Sequence, residues 1–327
     1  MKLSINLKDE NSAGICYGIA AYSLWGILPL YWKLMESVPA LEILAHRICW
    51  SFIFMLLVVY FYRKRSVISA IIANRKKLFL IFLCGFIVSA NWFTYIYAVN
   101  SGHVIESSMG YFINPLVVVL LGVTVLHEHL GRWQLVAIIL ASMGVLIITI
   151  QYGRIPWIAL ILAGTFALYG LIKKIIHVDS LAGLVLETFI VMPIALTYIA
   201  FLEIGGQGSL GSSGPAVILT LAGTGVVTAI PLIFYARGIE RITFSMMGFL
   251  QYIAPTLQLF LGIFIFKEYF SLSHFISFCF IWAALVIFTL ANTNVLKERS
   301  TVGQKVEAAG MEKKKSKPWH LLNCTLV

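Results

Sequence analysis

ESSMGYFINPLVVVLLGVTVLHE, residues 106–128, and FSMMGFLQYIAPTLQLFLGIFIFKE, residues 244–268, read as two versions of one helix. Ser107, Met109 and Gly110 return 138 positions later as Ser245, Met247 and Gly248, and the match extends back to Tyr97-Ala98 and Tyr235-Ala236. After two inserted residues, Pro115, Gly122 and Glu128 return at an offset of 140 as Pro255, Gly262 and Glu268, preserving a P-x6-G-x5-E spacing. The leading helices echo more faintly, with Leu41-Glu42 answered by Leu186-Glu187. An internal repeat constrains the whole architecture before any local propensity is weighed.

Both copies are strongly apolar, and so is the chain around them. Of 327 residues 60% are apolar and 12% charged, with a mean hydropathy of +0.92, against about 45–50% and about 25% in a soluble domain. So few charges cannot make a polar shell, which points to an integral membrane protein. A spanning helix needs about 20 mostly apolar residues. Windows of that length fall at 14–34, 41–63, 78–99, 104–126, 132–150, 155–174, 181–203, 217–237, 242–266 and 273–293. The expected fold is therefore all-α and membrane-embedded, with ten transmembrane helices in two repeats, 14–150 and 155–293, flanked by polar segments 1–13 and 294–327. Five is odd, so the second copy enters the bilayer from the opposite side. The halves form an inverted pair about a pseudo-two-fold axis in the membrane plane, an arrangement that recurs in secondary transporters.

The net charge of +10 becomes an orientation once it is sorted by loop. Only Lys33, Arg154 and Lys267 of the 24 Lys and Arg fall on the side opposite the N-terminus, and Arg47 lies within a span. The positive-inside bias then places both termini in the cytoplasm. The basic excess is topological and implies no nucleic-acid partner. The first apolar run continues through Trp25, Pro29 and Tyr31 without a small-residue cleavage site, so it reads as a retained helix. Loops are short, which leaves no room for a soluble catalytic domain. GGQGSLGSSGP, residues 205–215, lacks the GK[ST] ending of a phosphate-binding loop and reads as a flexible external loop. No cofactor is expected. Cys16, Cys49, Cys84 and Cys279 lie in apolar stretches and read as small apolar filler. His127 and His129, two apart and with no third ligand nearby, do not make a metal site. In the tail, KKKSK at 313–317 could touch anionic lipid, and the terminal Cys324-Thr325-Leu326-Val327 fits prenylation poorly.

Several runs carry a family resemblance: W-G-x-x-P at Trp25, Gly26 and Pro29, LEILAHRxxWS from Leu41 to Ser51, Asn91-Trp92, and the paired P-x6-G-x5-E elements. Over about residues 12–293 the chain resembles the RarD branch of the drug/metabolite transporter superfamily. The resemblance implies two EamA-type five-helix units, a multi-pass location in a bacterial inner membrane, and permease activity toward a small-molecule substrate. The tail from Lys297 onward lies outside it.

Ionisable groups inside spans cost about 2.5–3.5 kcal/mol each on insertion scales, so they usually face an interior or a water-filled cavity. Glu42 and His46, four apart, share a face of the second helix, with Arg47 next to them. Arg47 is the leading substrate-binding candidate, through its planar donor fork. Its counterpart in the other half is Met192, an asymmetry that favours function over architecture. The competing reading is an ion pair from Arg47 to Glu42 or Glu187 that only holds helices together. His46, Glu42 and Glu187 could relay protons, or could equally be bonded to neighbouring helices. Trp25, Asn91, Trp92, Tyr95, Asn114, Gln251 and Tyr252 complete the candidate cavity, as substrate contacts or as helix-to-helix glue. Pro115 and Pro255 would kink their helices at matched depths and serve as hinges. Glu128 and Glu268 read as caps for helix N-termini. The function expected is a secondary transporter, an exporter or permease of small metabolites or drug-like molecules, working by alternating access with protons as a candidate coupling ion. The alternatives are a membrane-embedded enzyme and a non-transporting sensor or scaffold. Oligomeric state is left open.

Overall fold

The computed structural model describes residues 7–101, 103–266 and 272–292, so Glu268, Lys267 and the tail 294–327 lie outside the described residues. Within them all regular structure is helical, as expected of apolar segments that must satisfy their backbone hydrogen bonds internally. In order these are α1 (Leu7–Trp32), α2 (Ala40–Phe61), a short surface helix α3 (Arg65–Ala73), α4 (Arg75–Asn100), α5 (Val104–Thr124), α6 (Arg132–Tyr152) and α7 (Trp157–Ile176). They continue with α8 (Ser180–Ile204), a single turn α9 (Ser209–Ser212), α10 (Pro215–Arg241), α11 (Phe244–Leu250), α12 (Ile253–Leu261) and α13 (Leu272–Asn292). Nine segments among the described residues are long and apolar enough to cross a membrane. The tenth expected span falls on α13, whose apolar stretch Phe275–Ala291 is shorter. Large apolar side chains such as Phe79, Leu146, Ile194 and Phe201 stand on the outer surface, which suits hydrocarbon and would be a liability in water.

Starts and stops follow local chemistry. Asp179 precedes α8 and its side chain accepts from Ala182 N at 3.2 Å. Thr243 does the same for α11 through Met246 N, also at 3.2 Å. Helix α6 ends at Gly153, whose φ of 75° is readily adopted only without a Cβ.

Helices α1 and α10 pack together, as do α4 and α7, and α2 lies against both α8 and α10. On the other flank α5 packs on α7 and α11, while α6 and α13 pair with one another. Small residues permit the closest approaches, the usual device where lipid supplies no hydrophobic force between helices. A Cβ on Gly144 would come within 2.8 Å of the Ser277 carbonyl oxygen, and one on Gly225 would overlap the Trp50 backbone. Gly225→Leu is therefore expected to force α10 from α2 and lower the melting temperature in detergent by several degrees, with overpacking costs of about 1–3 kcal/mol. An unchanged melting curve would refute that contact.

Two local features add to the expectations. Helix α5 runs unbroken through Pro115, whereas its partner segment is divided at Gln251–Tyr252 into α11 and α12, so the two repeats differ in helix continuity near the matched prolines. The break is built from tight turns, with Gln251 N, Tyr252 N and Ala254 N bonding three residues back to Gly248, Phe249 and Gln251. The Gly/Ser-rich loop also carries regular structure. Turn α9 sits inside it, held by Glu203 accepting from Leu210 N at 2.9 Å and Gly211 N at 3.1 Å.

Candidate functional site

One face of α1 carries Tyr22, Trp25, Pro29 and Trp32, and it forms a wall of a cavity of about 360 Å³ in the middle of the bundle. The opposite walls come from α2, α4, α5 and α7, with Gln251, Pro255 and Gln258 closing the side formed by α12 and the turn before it. Pocket-lining groups extend to Trp32 and Ala40, on either side of the α1–α2 turn, and to Ser107 and Ser108 near the start of α5. At the other end a cluster of rings forms a floor. Trp25 lies 5.7 Å from Tyr235 and 6.0 Å from Phe166, Tyr22 lies 6.2 Å from Tyr235, and Tyr169 stacks on Tyr235 at 6.2 Å.

Arg47 is the one charged residue lining this cavity among the described residues. Helical geometry decides which way it points: Ile43, Leu44 and Arg47 share the cavity face, while Glu42 and His46 lie on the face turned toward α8 and α9. The guanidinium stands over the Trp92 ring at 4.5 Å and the Trp32 ring at 5.5 Å. Neither alternative ion pair is present. Glu42, 1% exposed, accepts from Ser209 N at 2.6 Å and Ser209 Oγ at 3.0 Å, with His46 Nε2 3.9 Å away. Glu187 accepts from Lys173 Nζ at 2.6 Å and from the Tyr169 hydroxyl at 3.1 Å, below the aromatic floor. Cation–π contact with two rings therefore replaces a counter-ion, and such contacts are worth about 0.5–2 kcal/mol each.

The polar candidates divide into those that line the cavity and those that do not. Asn91 lines it while donating to Leu162 O and Thr165 Oγ1, both at 2.8 Å, and Asn114 lines it while donating to Ala163 O at 2.6 Å. Each amide thus ties its helix to α7 as well as facing the cavity. Tyr95 and Tyr111, both 39% exposed, meet edge to face at 6.1 Å beside Arg47. Gln251 lines the cavity, but its neighbour Tyr252 turns away, fully buried, and donates to Phe112 O at 3.3 Å. Glu42, His46, Glu187 and Pro115 are not among the lining groups, whereas Pro255 is. Sequence reasoning missed Trp32, Phe166 and Tyr22. The signal was available for α1, because residues 22, 25, 29 and 32 fall on one helical face.

Below the floor the helix ends are tied across the bundle. Glu128 accepts from Phe244 N at 2.5 Å, Ser245 N at 2.9 Å and Ser245 Oγ at 2.6 Å, so it caps α11 rather than the helix that follows it in sequence. Lys174 Nζ donates to Ile239 O at 2.7 Å and Ile242 O at 2.5 Å. Lys64 pairs with Asp179 at 2.7 Å. Burial pushes the Asp179 carboxyl up, but the hydrogen bond and charge of Lys64 and the backbone N–H groups of Ala182 and Leu181 together hold it below the usual range. No group of three or more His, Cys, Asp or Glu with metal-binding geometry occurs among the described residues.

Residues 12–150 match the EamA-like transporter family. The chain is 47% identical over 285 residues to an uncharacterized transporter, YojE, of Bacillus subtilis, an alignment covering 86% of this chain and 95% of the relative. It is 44% identical to a protein RarD of Streptomyces exfoliatus, covering 86% and 90%, and 39% identical to a protein RarD of Escherichia coli, covering 86% and 95%. A solved crystal structure superposes with a TM-score of 0.65 over 85% of this chain and 97% of its own at 19% identity, a likeness that bears on the fold alone.

Proposed function

The chain belongs to the RarD branch of the EamA-like transporter family, a multi-pass membrane protein with transporters for relatives, and from that premise we propose a secondary permease that moves small metabolites or drug-like molecules by alternating access. The observation that carries this reading is the central cavity with its lone guanidinium, bounded by helices of both halves. A ten-helix inverted repeat is supported by the packing order. Exchanging each helix with its counterpart five spans away turns α1 on α10 into α7 on α4, and α5 on α7 into α12 on α1, both of which occur. The pairs α2–α8, α5–α11 and α6–α13 map onto themselves. Two halves related in this way can swap conformations around a fixed site. With the termini cytoplasmic, as the positive-inside bias supports, the cavity extends toward the outer face and the aromatic floor closes the inner one. Trp25, Arg47, Asn91, Trp92, Tyr95, Asn114 and Gln251 are the proposed substrate contacts, and Pro255, beside the Gln251–Tyr252 break, is the better placed of the two proline hinges. Pro115, Tyr252, Glu42, His46 and Glu187 would act from behind the cavity wall. The proposed setting is a bacterial inner membrane.

The test is reconstitution. A thermal-stabilisation screen of metabolites and antibiotics identifies ligands, and preloaded proteoliposomes should then show counterflow of a hit. Binding without counterflow of any hit would overturn the transport reading in favour of a sensor. Proton coupling is tested in the same vesicles. Counterflow-competent vesicles that ignore an imposed pH gradient, and that survive His46→Ala, Glu42→Gln and Glu187→Gln, would remove it.

A further inference from the structure

Arg47 presents an electrostatic imbalance. Its Nε is buried with no hydrogen-bond partner, and no described carboxylate pairs with its guanidinium. The cavity it lines contains no Asp or Glu among the described residues, and no Lys or His. Arg47 is half-buried, and an anion entering the cavity supplies the counter-charge that its guanidinium lacks. Planar donors on Arg47 match a carboxylate in bidentate fashion. The rest of the lining is uncharged: aromatic rings, aliphatic side chains, amides, and the hydroxyls of Ser107, Ser108, Tyr95 and Tyr111. Trp25, Phe166 and Tyr22 offer apolar faces, and the carbonyl oxygens of Asn114 and Gln251 are buried acceptors with no partner among the described residues.

These features separate three kinds of small molecule that a metabolite permease could take. A cation would meet Arg47 as a like charge, with no carboxylate to offset it. A zwitterion would satisfy Arg47 with its carboxylate, but its ammonium would leave water for a wall whose acceptors are neutral amides and hydroxyls, with no carboxylate among them, and whose Trp32 and Trp92 rings already face the guanidinium. Desolvating that ammonium without a counter-charge is unfavourable. A monoanion with an apolar or aromatic body and a neutral N–H or O–H donor meets every group in the wall. We infer that the cavity selects net-monoanionic organic acids over amines and free amino acids, an inference that rests on the cavity being the substrate site.

The test uses matched triads that share a body and differ in charge: indole-3-propionate, tryptamine and tryptophan; 3-phenylpropionate, phenethylamine and phenylalanine; 4-methylpentanoate, isoamylamine and leucine. Each is titrated against the full-length protein in dodecylmaltoside, with binding read by equilibrium dialysis and thermal shift. At least one acid is expected to bind about tenfold or more tightly than its amine and amino acid. Arg47→Gln, shown to be folded by gel filtration and melting curve, should erase that preference. An amine or amino acid that binds as tightly as its acid overturns the inference but leaves the transport reading intact if the bound probe shows counterflow. Failure of all three acids overturns it as well, and failure of every probe together with absence of counterflow removes both readings. Phosphatidylglycerol is added in a parallel arm, because a lipid headgroup offers the same anion. Displacement of the acid by that lipid would assign the site to lipid and overturn selection of a free acid.

Discussion

Arg47→Ala is expected to lower ligand affinity in the purified protein by about 100-fold or more while leaving the melting temperature unchanged or slightly raised. The two effects have different origins. Affinity falls because the guanidinium is the only charge among the described groups that line the cavity, so its removal deletes the one strong electrostatic contact available to an anion. Stability is spared because Arg47 holds no helix by an ion pair. Its contacts are the Trp92 and Trp32 rings at 4.5 and 5.5 Å, worth about 0.5–2 kcal/mol each. Losing them is offset by no longer holding a half-buried cation without a counter-ion, for which the cost of about 2.5–3.5 kcal/mol on insertion scales is an upper bound. Arg47→Lys should restore charge without the planar fork and recover only part of the affinity. Isothermal titration with a ligand from the stabilisation screen, beside a melting curve of the same sample, reads both quantities. Unchanged affinity in Arg47→Ala would remove Arg47 from the site, and a collapsed melting temperature would return it to a structural role.

What the sequence made legible, and what it did not, follows the range of the forces involved. Nine of the ten apolar windows fall on single long helices and the other, 242–266, on α11 and α12, because a span depends on some 20 consecutive residues and on nothing distant. That Glu42 and His46 share a face was likewise legible from their spacing, but not the direction of that face. The direction depends on Ser209, which is 167 residues from Glu42 and lies in a stretch whose Gly/Ser composition suggests flexibility. The same holds for Glu128. Its location near a helix start suggested capping, yet the helix it caps begins at Phe244, and only the fold brings the two together. Pro115 and Pro255 illustrate the opposite limit. Matched prolines do not carry matched helix continuity: α5 is continuous, and its partner segment is divided into α11 and α12. Gly248 lets α11 approach the Pro115 carbonyl of an unbroken α5, whereas the turn at Gln251 and Tyr252 absorbs the bend on the other side. A proline weakens a helix locally, but neighbouring helices determine whether it breaks.

The buried pair beneath the cavity floor gives the largest stability effect. Lys173 and Glu187 are 9% and 4% exposed at 2.6 Å, and the Tyr169 hydroxyl donates to the same carboxylate. Removing one member leaves the other charge buried without a partner, at a cost of about 3–5 kcal/mol. Glu187→Gln and Lys173→Met are each expected to drop the melting temperature by several degrees, and Glu187→Gln also weakens the acceptor for Tyr169. The double variant Lys173→Met/Glu187→Leu should recover most of that loss, because apolar side chains of similar size avoid the desolvation that the ion pair must overcome. Additive losses in the double variant would show that the pair does not couple energetically. Recovery would have a functional consequence. If two apolar residues hold α7 to α8 as well as the ion pair does, packing does not require the charges, and the double variant becomes a stable background for the transport assay. Counterflow at the parental rate in that background would make the pair a structural tie. Lost counterflow with restored stability would mean that the charges serve the conformational cycle, either by opening with the inner end of the bundle or by carrying the coupled proton.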